Sequence, residues 1–137
     1  MPRLELVSTI DLSGPLQISV EEIQAMQRAV INLFARWGLG DEQACTLLGG
    51  IGARTYARWK AGDLGRVNVD LQTRLSNLIG IHKALRLLFD VPERGYGWVK
   101  RPNAAFQGAS ALDVMLGGQL TDLMRVRRYL DTQRGAW

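Results

Sequence analysis

Any hydrolytic or transfer chemistry that needs a nucleophile beside a base would have to pass through two residues, His82 and Cys45. They are the one histidine and the one cysteine in 137 residues. A Ser-His-Asp or Cys-His arrangement requires an imidazole within hydrogen-bond reach of its nucleophile. His82 instead falls on an apolar stripe, Leu71, Leu75, Leu78, His82, Leu85 and Phe89, stepping by four and three residues. That spacing reads as the packed face of a helix and makes His82 a core or interface residue. Metal ligation lacks material as well, with no cysteine pair, no second histidine, and carboxylates that are scattered or adjacent. The adjacent pairs Glu21-Glu22 and Asp41-Glu42 stand where helices begin, and the helix dipole explains them there. Gly49-Gly50-Ile51-Gly52 is glycine-dense, but it follows a helical pattern and not a strand. Thr55 takes the place of the last glycine of a GxGxxG run, and no Gly-Lys-Ser/Thr occurs. No catalytic residue, metal or cofactor is expected, and the chain does not read as an enzyme.

Binding chemistry is better represented. The stretch Asp41 to Gly62 places two short helical patterns, roughly 41–48 and 53–61, around the glycine turn. At about 100° per residue, Thr55, Tyr56 and Trp59 of the second helix point inward. Arg54, Ala57, Arg58 and Ala61 fall opposite, with Lys60 at the flank. An arginine pair at i, i+4 with small residues between them can enter a major groove and contact guanine or phosphate. The alternative is a solvated basic face on a helical hairpin. The expected DNA-binding residues are Arg54, Thr55, Arg58 and Lys60.

The surrounding elements all read as helices. Ser19 before Glu21 and Glu22 is an N-cap signal. Ile23, Met26, Val30, Phe34 and Trp37 then mark an amphipathic helix ending at Gly38. A long helix is expected over 70–90. Its stripe, widened by Ile79, Ile81, Leu87 and Leu88, would be covered by the C-terminal part or by a second copy of the chain. Val91-Pro92 should stop it, and Gly95-Tyr96-Gly97 reads as a loop. Ser110-x-x-Asp113 opens a short helix as a capping-box variant, and Asn103 reads as a cap. The last helix, roughly 119–133, turns Leu120, Leu123, Met124, Val126 and Leu130 inward. No strand, repeat or low-complexity tract is evident.

The net charge of +4 is uneven, with −3 over residues 1–27 and +7 over 28–137. A basic body suits a polyanionic or acidic partner. No apolar run reaches the roughly 18 residues of a membrane span, and residues 1–14 show no signal-peptide core. A single cysteine excludes an internal disulfide and suits a reducing cytoplasm.

Two ordered sets of residues resemble a known family. Leu48-Gly49 followed by Thr55-x-x-x-Trp59 is similar to the Xre/Cro-type helix-turn-helix, with a turn one residue longer. Ile79 to Leu85, Trp98, Pro102-Asn103, Phe106-x-Gly108, Ser110-x-Leu112-Asp113, Val126, Tyr129-Leu130 and Arg134-Gly135 follow in the order of the toxin-binding module of Xre/MbcA/ParS antitoxins. Ala111 stands where that family usually has proline. The resemblance covers roughly residues 20–137.

The resemblance implies an all-α fold, a helix-turn-helix domain followed by a small helical toxin-binding domain. The division would be an arm at 1–17, a DNA-binding and dimerisation domain at 18–90, and a toxin-binding domain at 91–137. It further implies a bacterial, cytoplasmic antitoxin that occludes the active site of an NAD-degrading RES-domain toxin. Such antitoxins are homodimers that commonly repress their own operon through operator DNA. No membrane and no small-molecule substrate is implied. The toxin-facing residues would be Arg125, Arg127, Arg128, Tyr129, Arg134, Gly135 and Trp137, with Trp137 as an aromatic anchor. Leu71, Leu75, Leu78, His82 and Leu85 would form the dimer interface. The competing readings are a free-standing helix-turn-helix regulator without a toxin partner, and an interaction module whose helix-turn-helix no longer binds DNA.

Overall fold

Ser19 starts the first helix, α1 (Val20–Arg36), with a reciprocal cap. Its Oγ accepts the Glu22 backbone N–H at 3.1 Å, and Glu22 Oε1 accepts the Ser19 N–H at 3.4 Å. The computed structural model describes residues 18–135; the expected arm at 1–17 and Trp137 lie outside them. Trp37 closes α1, and Gly38 turns the chain at φ +68°. Then come α2 (Asp41–Leu47), α3 (Ala53–Lys60) and α4 (Val69–Leu88), the last capped by Asn68, whose Oδ1 accepts the Leu71 N–H at 2.8 Å. The C-terminal part holds α5 (Pro92–Trp98), a 3-10 turn (Ala104–Phe106), α6 (Ala111–Met115) and α7 (Leu120–Gly135). Among the described residues there is no strand, only an isolated bridge between Pro102 and Ser110. The fold is all-α.

The long helix α4 organises the packing. Its most extensive neighbour is α7, followed by α1, and α5 folds back along its end. One buried cluster runs from Val30, Phe34 and Trp37 through Leu75, Leu78 and Ile81 to Leu123, Val126 and Leu130. Both halves of the chain therefore share a core. This corrects the dimer expectation: Leu71, Leu75, Leu78 and Leu85 are buried within one chain, and His82 is half-buried against Tyr96. Those four leucines are covered by the chain's own helices.

Two further expectations give way. Gly95-Tyr96-Gly97 lies inside α5, because Pro92 opens that helix at its first turn. Gly95 lets it approach α4, where an added Cβ would stand 3.4 Å from Leu85 Cβ. Packing thus overrides the low helix propensity of two glycines. Met124, expected inward, is exposed, since α7 buries only the arc of Leu123, Val126 and Leu130.

The helix-turn-helix turn depends on its glycines. Gly49 and Gly50 both have positive φ, at +88° and +85°. The Gly50 N–H closes α2 by bonding the Cys45 carbonyl at 2.8 Å. A Cβ on Gly49 would also meet Arg74 Nε at 2.9 Å. Arg74 is buried beneath this turn, donating to Asp70 Oδ2 at 2.9 Å and to the Leu47 carbonyl at 3.4 Å. Gly49→Ala is expected to destabilise by about 2 kcal/mol or more, since the backbone penalty alone is about 1–2 kcal/mol. A thermal melt should fall by roughly 5–10 °C. Gly50→Ala, which meets nothing within 4 Å, should show the smaller backbone effect alone.

Candidate functional site

The second helix of the helix-turn-helix, α3, buries Tyr56 and Trp59 and half-buries Thr55. Arg54, Ala57, Arg58 and Ala61 are exposed together on its outer side. The helix has no acidic residue in its first turn, and its N-cap, Gly52, makes no side-chain bond. Its first backbone N–H groups are left open to an anion. Lys60 differs from the two arginines. Its Nζ donates to Asp41 Oδ1 at 2.7 Å and stands 5.2 Å from the Tyr56 ring centroid, so it ties α3 to the start of α2.

That contact also shapes the groups beneath it. Burial, then the Asp41 charge, then Cys45, push the Tyr56 hydroxyl up to about 12. Burial and Asp41 raise the Cys45 thiol, outweighing the opposing effect of Lys60. A thiol held protonated is a poor nucleophile. His82 has other neighbours: it stacks on Tyr96 with ring centroids 6.4 Å apart, and its Nδ1 is buried without a hydrogen-bond partner. Among the described residues no cluster of three His, Cys, Asp or Glu could hold a metal ion.

Burial, and secondarily Arg86, lower the His82 pKa below its ordinary 6.5. Protonation therefore favours the unfolded chain, and stability is lost as pH falls below about 6.5. The melting temperature of the wild type should drop more between about pH 7 and pH 5 than that of His82→Phe, which keeps a ring against Tyr96. Equal drops would show that His82 titrates alike in both states.

The expected toxin-facing residues do not form one surface. Taking about 100° per residue, Arg125 and Tyr129 lie along one edge of the buried stripe of α7, and Arg127 and Arg134 along the other. Arg128 points directly away from the core and is exposed. On the first edge an aromatic cluster supports the surface. Tyr129 stacks on half-buried Trp98 at 6.2 Å and meets Phe106 edge-on at 5.3 Å. Arg125 lies 5.4 Å from the Phe106 ring centroid and donates to Gln107 Oε1 at 3.2 Å.

On the second edge Arg127 is turned inward. It crosses α4 over Gly80, where a Cβ would stand 2.5 Å from its Cζ, and it reaches the Ser76 carbonyl and Asn77 Oδ1 at 3.5 Å. Arg134 is exposed and donates to Asp131 Oδ1 at 3.3 Å. Gly135 is the last residue of α7, and Trp137 lies beyond the described residues.

The capping expectations in this module hold. Ser110 and Asp113 form the reciprocal box at the start of α6, and Asn103 Oδ1 accepts the Ala105 N–H at 2.9 Å. Sequence reading missed three buried polar residues among those described. Arg74 lies beneath the turn. Asn77 lies on α4, where its Nδ2 donates to the Thr73 carbonyl at 2.9 Å. Gln27 donates its Nε2–H to the Leu64 carbonyl at 2.9 Å and pins the loop after α3. Gln27 directly follows Met26 on α1, and that adjacency to the apolar stripe was its only signal.

Residues 18–80 match the family described as the antitoxin Xre-like helix-turn-helix domain. Residues 84–135 match the antitoxin Xre/MbcA/ParS C-terminal toxin-binding domain. A relative described as "Uncharacterized protein y4oB", from Sinorhizobium fredii (strain NBRC 101917 / NGR234), is 44% identical over 113 residues, spanning 82% of this chain and 87% of its own. The two family matches meet within α4, the helix that carries the common core, and the chain therefore belongs to the Xre/MbcA/ParS-type antitoxins.

Proposed function

We propose that this antitoxin neutralises an NAD-degrading RES-domain toxin by occluding its active site through the C-terminal module, and represses its own operon as a DNA-binding dimer in the cytoplasm. The observation that carries the reading is the pairing of two free basic surfaces on one core. The outer face of α3 presents Arg54 and Arg58, and α7 presents Arg128 outward, with Arg125 exposed along one edge and Arg134 exposed along the other. The functional division would follow residues 18–90 and 91–137, although the core does not divide there.

A toxin cleft that holds a dinucleotide is surrounded by groups placed to bind its pyrophosphate. An arginine-rich helix end reaches such an opening through acidic residues at its rim, or fills the phosphate site itself. Within this reading Arg125, Arg128, Tyr129 and Arg134 touch the toxin and Trp137 anchors beside them. Arg127 serves mainly to hold α7 against α4. A homodimer needs a surface other than the α4 stripe. Exposed Val20, at the start of α1, lines a cleft of about 300 Å³ with Ile23 and Val67, and offers one.

Co-expression with a RES-domain protein encoded beside this gene is the test. Rescue of growth, and co-purification of the two chains, is the expected result. Failure to rescue, with DNA binding intact, favours the free-standing regulator.

A further inference from the structure

Where α1, α4 and α5 meet, a surface cleft of about 300 Å³ is lined by Asn32 and Arg36 of α1, His82 and Arg86 of α4, and Tyr96 of α5. No carboxylate of the described residues lines it. Arg36 and Arg86 are both exposed, and among the described residues neither forms a salt bridge. Two cations thus face one space without a counter-ion, and their mutual repulsion favours an anion between them.

Tyr96 gathers the other groups. Arg36 Cζ stands 5.9 Å from the Tyr96 ring centroid, and the His82 ring stacks on Tyr96 with the planes 7° apart. His82 Nδ1 is buried and has no hydrogen-bond partner. A buried N–H without an acceptor is the rarer defect, so the neutral ring carries its proton on Nε2. Burial, and secondarily Arg86, lower the His82 pKa and keep the ring neutral above its ordinary 6.5. The nitrogen left to face the cleft is then a donor. The Asn32 amide supplies two more N–H groups.

We propose that this cleft binds a terminal phosphate group, free or on a small ester, between Arg36 and Arg86, with His82 Nε2–H and the Asn32 amide donating to its oxygens. A phosphate monoester carries a charge of about −1.5 to −2 at neutral pH and three strong acceptor oxygens, which matches two guanidiniums. A carboxylate would neutralise only one of them. The guanidinium fork also fits paired phosphate oxygens. The site uses none of the residues assigned to operator or toxin. It spans both matched parts of the chain, because α1 lies within 18–80 and α5 within 84–135.

The test is nuclear magnetic resonance of the full chain at about pH 7.5, where phosphate is largely dianionic, titrated with inorganic phosphate against chloride of equal ionic strength. Saturable shifts at His82, Tyr96 and the Nε–H of Arg36 and Arg86, which chloride does not reproduce, are expected. Arg36→Gln and Arg86→Gln should each weaken binding about tenfold or more while melting as the wild type does. Arg94→Gln removes the same charge from an exposed position on the far side of α5 from Tyr96, and should leave binding unchanged. AMP that saturates the same resonances more tightly identifies an ester as the ligand, equal affinity identifies the free ion, and both support the site. Shifts that chloride matches, or that never saturate, overturn it. So does saturation that survives both arginine variants, which would place the phosphate elsewhere. Lowered DNA affinity in those variants, with no saturation by free phosphate, would assign both arginines to the DNA backbone and overturn the site as well.

Discussion

Deleting residues 120–137 is expected to unfold the protein and so abolish DNA binding together with toxin binding. The helix removed, α7, contributes Leu123, Val126 and Leu130, each almost fully buried. At about 1.5–3 kcal/mol for each buried side chain, their loss removes roughly 5–9 kcal/mol. A domain of this size has a net stability of only about 5–15 kcal/mol. The deletion also exposes the face of α4 that holds Leu78 and Ile81, whose own burial depends on neighbouring helices. Circular dichroism should show a broad, non-cooperative melt, and a hydrophobic dye should bind strongly. A chain ended after Arg134 keeps the buried stripe and should melt cooperatively. The shorter truncation can therefore separate partner binding from folding, and the longer one cannot. A sharp native-like melt for the chain ending at Gln119 would show that the helix-turn-helix half folds alone and that the common core matters little.

The features legible in the sequence were those fixed locally. Reciprocal caps at Ser19 and Ser110, the glycine turn after Leu48 and the inward pair Tyr56 and Trp59 depend on neighbours within a few residues. The apolar stripe of α4 was visible too, but periodicity states only that a face is buried and not against what. Its cover proved to be α1 and α7 of the same chain. Helix α5 escaped notice for a related reason: its two glycines lower local propensity, and the approach to Leu85 explains Gly95 alone.

The arginines show the same limit. Seven candidate cations on α3 and α7 looked equivalent as letters. Lys60 is held by Asp41, and Arg127 is drawn over Gly80, while Arg54, Arg58 and Arg128 extend outward. A glycine in the middle of a long apolar helix was the available clue to Arg127, because such a residue commonly marks a close approach.

The double variant Arg54→Ala, Arg58→Ala should lose operator affinity by about 30-fold or more while keeping the wild-type melt. A good bidentate arginine contact to guanine contributes about 1–3 kcal/mol, so two such contacts amount to about one and a half decades of affinity or more. Both side chains are exposed on α3, and the buried Tyr56 and Trp59 that seat the helix remain in place. Each arginine placed on a phosphate instead would lower the slope of log affinity against log salt by about 1. Anisotropy titrations against the DNA upstream of the operon, repeated across salt concentrations, distinguish base reading from backbone contact. Lys60→Ala is the informative comparison. Its ammonium is held at 2.7 Å by Asp41, so its removal should change affinity far less than loss of either arginine. Losing this exposed ion pair should alter stability by no more than about 1 kcal/mol. If the double variant binds with unchanged affinity and salt slope, the outer face of α3 does not read DNA. If Lys60→Ala proves the more damaging, the Asp41 pair opens on binding and the lysine belongs to the DNA interface after all.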